Sequence, residues 1–378
     1  MTAKIVLLGA TGYTGARTAE AMSRRGLRPV LAGRDPKRLA AVATRLGGLD
    51  TAQADVTDPA SVRALIDRGD VLVSTVGPFS KLGEPVVAAA VDAGAYYLDS
   101  TGEPPFLRRV FTEYGPQAER SGATLLPAFG NDFIPGTLAG ALALREAGSR
   151  AAAIDVGYFV RSGGVGGQAF SLGTSSSLVA VVAEPVFGWR AGQLRTEPAG
   201  ARMRSFDVAG RPRSGITIGS TEHFALPRLA AELAPGLRSV DVYLGWFGSA
   251  TRMIHLSSGF TSMAGRIPLL KRAVTGAAGL LTRNASVEPS AKTLAATTSH
   301  IVAEVFDAAG RVLSRTHVEG PDGYAMTSEL LTWGAGRLLT DGAAVGPGTL
   351  DPVQAFGLNT LRVGAEQAGM TATTSQSG

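Results

Sequence analysis

Chemistry in this chain has to come from a few places where residue type and spacing coincide. The first is Gly9-Ala10-Thr11-Gly12-Tyr13-Thr14-Gly15, entered from the apolar run Ile5–Leu8 and left by a helical pattern that reaches Met22. Strand, glycine turn and helix in that order suit a pyrophosphate. Glycines let the backbone come close, and the first N–H groups of the helix carry its positive dipole end. An ordinary strand–helix turn would use the same residue types, but the position directly after a buried-type strand favours a dinucleotide. Gly9, Thr11, Gly12, Tyr13, Thr14 and Gly15 are the residues expected to hold it.

The second strand, Pro29–Ala32, runs into Gly33-Arg34-Asp35. An acidic residue at this strand end would accept from the ribose 2′-OH of NAD. A guanidinium at Arg34, supported by Arg38 one helical turn on, suits a 2′-phosphate, so NADP(H) is the expected cofactor. Asp55, with Val56 beside it, follows a short third strand within reach of an adenine amino group. Asp58 is expected to N-cap the helix Ala60–Asp67. The turn Val76-Gly77-Pro78-Phe79 ends a fourth strand, beside the place for the nicotinamide ribose.

Carboxylates and tyrosines supply the remaining candidates. Asp99 and Glu103 follow Tyr96-Tyr97-Leu98, and Asn131-Asp132 follow the strand Thr124–Pro127. Ends of parallel strands share one edge of a sheet, the edge at which such folds bind ligands. A carboxylate there stabilises a cationic substrate, or keeps a proton if desolvation raises its pKa. Asp132 and Asp99 are therefore catalytic candidates, with Glu103 and Asn131 facing substrate. The plainer role for Asp99 and Glu103 is to cap and pin loops. Tyr158 and Tyr324 are alternative proton donors.

The elements that must position these groups alternate strand and helix over the first 130 residues, which predicts a Rossmann-type doubly wound parallel sheet. From Ala151 the runs Ile154–Val160, Ile216–Ile218, Val240–Phe247, His300–Phe306 and Val312–Val318 read as strands, several alternating apolar and polar. Asp307–Gly310 reads as a hairpin loop between the last two. The fold class is α/β with a second, α+β domain built on a mainly antiparallel sheet. The boundaries read as 1–130 for nucleotide binding with 345–366 returning to it, 131–344 for substrate, and 367–378 as a disordered tail.

Composition excludes several classes. The chain has 378 residues and no Cys, so thiol nucleophiles, disulfides and Cys-ligated metals are absent. Four scattered histidines show no HxH or HxxxH spacing, and no metal site is expected. A formal charge of +5 spread along the chain is not a nucleic-acid stripe. None of the seven tyrosines has Lys four positions on, which excludes the Tyr-x-x-x-Lys mechanism of short-chain dehydrogenases. With no signal-like segment at the N-terminus, the expectation is a cytoplasmic protein. The segment Ile267–Leu281, broken by Lys271 and Arg272, reads as a core or dimer helix, with membrane contact as the minor alternative.

Four stretches together resemble the saccharopine dehydrogenase-like family: Gly9–Gly15, Val76–Phe79, Tyr97–Glu103 and Phe129-Gly130-Asn131-Asp132-Phe133-Ile134-Pro135. The last differs from the family's usual Gly-Phe-Asp-Ser-x-Pro. The closing stretches Val318–Thr327 and Gly346–Pro352 resemble family signatures too, so the likeness runs from residue 4 to about 358. It implies an NADP-dependent oxidoreductase in which Gly173-Thr174 faces the cofactor from the substrate domain. Two reactions fit: reduction of a C=N bond, read first, and reduction of a C=C bond as in the related trans-acting enoyl reductases. A non-catalytic NADP sensor or scaffold is a third reading. Low charge suits an apolar small-molecule substrate, and a homodimer is expected.

Overall fold

The computed structural model describes residues 3–162, 185–247, 251–252, 255–256, 291–343 and 345–376. Gly173, Thr174 and Ile267–Leu281 lie outside the described residues. The chain divides into two units, Met1–Ile134 with Gly323–Gly369, and Pro135–Asp322 with Met370–Gly378.

The first unit is built on a parallel sheet of β1 (Ile5–Leu8), β2 (Val30–Gly33), β3 (Thr51–Gln53), β4 (Val71–Ser74), β5 (Tyr96–Asp99), β6 (Thr124–Leu126) and the short strand Gly348–Thr349. Its order is Gly348–Thr349, β6, β5, β4, β1, β2, β3. β1 and β4 are buried at every position, as strands covered on both faces must be, and their Val, Ile and Leu content follows from that. Helices α1 (Tyr13–Arg24) and α2 (Pro36–Arg45) follow β1 and β2. Asp35 caps α2 by accepting from the N–H groups of Lys37 and Arg38.

The long helix Gly323–Asp341 belongs to this unit and packs along α1. Trp333 on that helix, Phe129 after β6 and Phe356 near the chain's end form one aromatic cluster, with ring centroids 4.8 to 6.3 Å apart. The chain thus returns to the nucleotide unit at Gly323, ahead of the position 345 expected from sequence. Leu330, Leu331 and Leu338 of the returning helix are buried.

The second unit carries β7 (Ala153–Ser162), β8 (Val186–Arg190), β9 (Gln193–Glu197), β10 (Met203–Val208), β11 (Arg211–Thr217), β12 (Ser239–Leu244), β13 (Thr297–Phe306) and β14 (Val312–Gly320). Pairing is antiparallel throughout except between β12 and β7. β8, β9 and β10 carry no run that the sequence reading picked out. They are short, and all of β9 and four of the six residues of β10 are exposed or partly exposed. The tail expected to be disordered from Gln367 contains the strand Thr371–Gln376, antiparallel to β14. Its six side chains are exposed, so its polar composition reflects an edge strand held by backbone bonds.

Two faces of this sheet differ. Ile154, Val156 and Tyr158 lie in register with Val305, Ala303 and Ile301, all buried. Ser314 donates to the carbonyl of Ala143, which places the helix Ile134–Ala147 on that face. The other set of alternating residues is charged, aromatic and imidazole-bearing. Arg204 pairs with Asp155 and Glu304, and Phe159, Phe206, Tyr243 and Val302 cluster beside them.

Candidate functional site

Because the strands of the first sheet run parallel, the turns after β1, β2, β4, β5 and β6 all leave from one edge. Gly9 takes φ +90°, and a Cβ there would stand 2.7 Å from Thr75 Oγ1. A Cβ on Gly15 would lie 2.1 Å from the Gly9 carbonyl oxygen, so α1 crosses the turn as closely as backbone allows. Gly12 is the N-cap of α1 and supplies no side-chain cap. Thr11, Tyr13 and Thr14 fill the turn and the first positions of the helix. This is a cradle that side chains would block, opening on helix N–H groups, and it fits a pyrophosphate.

At the end of β2, Gln53 Nε2 donates to the Arg34 carbonyl (3.2 Å), leaving its side chain exposed beyond the sheet. Arg38 Nη2 donates to the Thr11 carbonyl (3.0 Å) and so links α2 to the glycine turn. Asp55 accepts from the N–H and hydroxyl of Thr57, 2.9 and 2.8 Å away. Those bonds, with a lesser contribution from the Arg34 charge, hold its carboxyl below the ordinary value. Asp55 thus marks the rim where Arg34 stands, while Val56 is buried under it. Asp58 makes no side-chain cap bond, contrary to the sequence expectation. Ser61 turns its hydroxyl back onto the Asp58 carbonyl instead.

Glu103 joins the turns after β4 and β5. Its two carboxylate oxygens accept from Phe79 N and Ser80 N at 2.8 and 2.9 Å, which fixes Val76-Gly77-Pro78-Phe79. Asp99 is fully buried and accepts from Thr101 N, Ala128 N and Tyr97 Oη at 2.9, 2.8 and 2.7 Å. Burial outweighs these donors and lifts its carboxyl to about 6. Both residues tie loops together, the plainer of the two roles weighed from sequence.

Asp132 differs. Its one hydrogen bond within the segment comes from Asn131 Nδ2, at 3.3 Å. Desolvation raises its carboxyl to about 7, with that bond a smaller opposing effect. Gly102 gives it room, since a Cβ there would lie 2.9 Å from Asp132 Oδ2. Asn131 is itself held from the returning helix. Its N–H donates to Thr327 Oγ1 (3.0 Å), and a Cβ on Gly323 would touch its side chain. Tyr324, one residue on, sets its ring edge-on to Tyr13 with centroids 5.0 Å apart, and Arg17 lies over Tyr13. The edge therefore brings together Gly9–Gly15, Arg34, Arg38, Val76–Phe79, Asp99, Glu103, Asn131, Asp132 and Tyr324. Thr327 bonds Asn131 and Gly102 makes room for Asp132; both lie inside the family-like stretches Val318–Thr327 and Tyr97–Glu103, but neither was assigned a role from sequence.

Tyr158 belongs to the second unit. Its hydroxyl donates to Glu222 Oε1 (2.5 Å) and accepts from Gly136 N (2.9 Å). Tyr158 is 1% exposed and Glu222 0%. Glu222 was missed because it opens the helix Glu222–Leu233, in a stretch with weak patterning.

Geometry of this kind defines a dinucleotide-binding Rossmann domain. Residues 5–126 match the family model of the saccharopine dehydrogenase NADP binding domain, and this part of the chain is an NADP-binding domain of that type. A putative trans-acting enoyl reductase of Mycobacterium tuberculosis is 43% identical over 142 residues, 35% of this chain and 33% of the relative. A trans-acting enoyl reductase of Mycobacterium ulcerans is 41% identical over 141 residues, 36% and 34% of the two chains. The match spans about a third of the length of each of these relatives. Across the whole fold, the chain is similar to apo saccharopine dehydrogenase (L-Glu forming) from Saccharomyces cerevisiae. The TM-score is 0.63 at 15% identity, covering 99% of this chain and 100% of the other. Among the described residues no helix is long and apolar enough to cross a membrane.

Proposed function

We propose that this chain is an NADPH-dependent reductase acting on a C=C bond conjugated to a carbonyl, an enoyl substrate of apolar character. The observation that carries the proposal is Asp132. A carboxyl whose pKa lies at about 7 is a competent acid at neutral pH, and it sits on the ligand-binding edge of the sheet. Reduction of a C=N bond, read first from sequence, puts the opposite demand on the site. An iminium needs an ionised carboxylate nearby, and desolvation disfavours that form of Asp132. The names of the enoyl reductase relatives support the same choice.

The residues divide the work. Gly9, Gly12 and Gly15 keep the turn open for the pyrophosphate, and Arg34 and Arg38 present positive charge to a 2′-phosphate. NADPH held by these residues would supply a hydride, for which the carbon beta to the carbonyl is the acceptor. Glu103 holds Val76–Phe79 in place, and Asp99 holds the backbone at Thr101 and Ala128. Asn131, fastened by Thr327, orients the Asp132 carboxyl. Asp132 gives its proton to the alpha carbon and regains one from solvent.

NADPH oxidation measured with enoyl thioesters, enones and imines tests the reading. Enoyl turnover is expected, with kcat falling as pH rises through about 7, because the acid form of Asp132 does the work. Asp132→Asn is expected to lose most turnover while NADPH affinity stays within a few-fold. Turnover confined to imines overturns the C=C assignment. Tight NADPH binding without turnover of any class leaves a sensor.

A further inference from the structure

We propose that His300, His317 and Glu319 form a binding site for a first-row divalent cation, Zn²⁺ in the first instance, on the second sheet. These histidines are 17 positions apart in sequence and share no ligand spacing. Antiparallel pairing of β13 and β14 sets His300 directly across from Glu319 and Val302 across from His317. His300, His317 and Glu319 therefore project from one face, in a diagonal and a direct cross-strand pair.

The donor atoms converge. His300 Nδ1 is 3.1 Å from His317 Nε2, with the two ring planes 8° apart, and 3.9 Å from Glu319 Oε2. One oxygen of Glu319 and one nitrogen of each ring all lie within 4.8 Å of one another. A cation at the usual ligand distance of about 2.0–2.2 Å from imidazole nitrogen and carboxylate oxygen fits with small side-chain rotations. Two neutral imidazoles and a carboxylate are a set that Zn²⁺ and its neighbours accept, whereas Mg²⁺ and Ca²⁺ prefer oxygen alone.

Outer contacts prepare the rings. Thr298 Oγ1 lies 3.0 Å from His300 Nε2 and can accept its proton, which leaves the lone pair on Nδ1, facing His317. The proton between the rings then belongs to His317 Nε2. On cation binding it moves to His317 Nδ1, so both rings stay neutral and no proton needs to leave. The site has a way in from solvent, since the Glu319 side chain is 49% exposed while the His300 side chain is 0% exposed. Thr371 and Thr373 of the closing strand lie across from Glu319 and His317, so a bound ion would stand beside the edge of the sheet.

Equilibrium dialysis of the untagged, chelator-treated full chain against Zn²⁺, with Co²⁺ absorption as a second readout, tests the site. One ion per chain is expected, with the visible bands of a histidine-ligated Co²⁺ ion. Glu319→Gln, a change at an exposed position, and His317→Gln should each weaken binding by about 10-fold or more, the loss that even an outer contact to a metal ligand causes. Thr298→Val should weaken it in the same range through the His300 tautomer. NADPH affinity should be unchanged in all three. No Zn²⁺ uptake by the wild type, or uptake that Glu319→Gln and His317→Gln leave unaltered, overturns the proposal.

Discussion

We propose that cofactor choice rests on Arg34, because the other charged residue of that strand end is already used. Asp35 spends its carboxylate on Lys37 N and Arg38 N of α2, and the ribose side is left to a guanidinium. Arg34→Ala should cost about 1.5–3 kcal/mol of NADPH binding, the scale of a hydrogen bond to a charged group. NADH binding should hardly change. Fluorescence titration of both cofactors checks this, and an equal loss for the two removes Arg34 from the role. Asp132 makes a separate prediction about stability. Its folded pKa of about 7 lies above the ordinary 3.8, so the folded chain holds a proton that the unfolded chain releases. Its contribution to stability is full below about 3.8 and is lost as pH rises through about 7. Asp99 acts in the same sense up to about 6. Asp132→Asn should flatten the fall in denaturant midpoint between pH 4 and 7, and a slope equal to that of wild type would contradict the shift.

At the scale of elements, the parts that were legible in sequence are those whose physics is local. Ile5–Leu8 followed by three spaced glycines specifies strand, turn and helix within a dozen residues, and every position of that strand is buried. The α1–β1 contact makes this sharp. Gly15→Ala would drive a methyl into the Gly9 carbonyl, which lies 2.1 Å from the Cβ position, and backbone cannot yield as a side chain does. A loss of about 1–3 kcal/mol of stability, the usual cost of overpacking, is expected together with impaired NADPH binding. Thermal unfolding and cofactor titration of Gly15→Ala check both. Illegible parts depend on distant partners. Asn131 is fastened by Thr327, 196 positions away, and nothing near either residue reports the bond. Strands β8 and β9 pair with each other and are only five residues each; β9 is polar apart from Leu194, and β8 does not alternate, so periodicity is weak. His300 and His317 meet only through the register of β13 and β14. The closing strand looked like a tail because an exposed edge strand carries tail-like composition.

The whole chain leaves its first unit after Ile134 and re-enters it at Gly323. Sequence placed the return at the closing glycine–proline signature, because a helix of mixed composition such as Gly323–Asp341 does not announce which core it joins. The structure shows why this helix is needed. It packs along α1, carries Trp333 against Phe129 and Phe356, and presents Thr327 to Asn131. A fragment ending at Ile134 would expose all of those contacts, and it should aggregate or stay partly unfolded. The crossing points are close, since a Cβ on Gly323 would lie 3.1 Å from Asn131 Nδ2. Joining Ile134 to Gly323 by a short Gly/Ser linker and ending at Gly369 should therefore give a monodisperse NADPH-binding protein. Its cooperative unfolding would report a complete core, and its Arg34→Ala variant should lose NADPH as the full chain does. The same excision removes Tyr158, Glu222 and every second-unit strand, so turnover of the enoyl substrate should disappear. A folded fusion with full turnover would mean that the first unit alone is the enzyme. A fusion that fails to fold, beside a well-folded fragment 1–134, would mean that the returning helix owes its place to something other than the core it packs on.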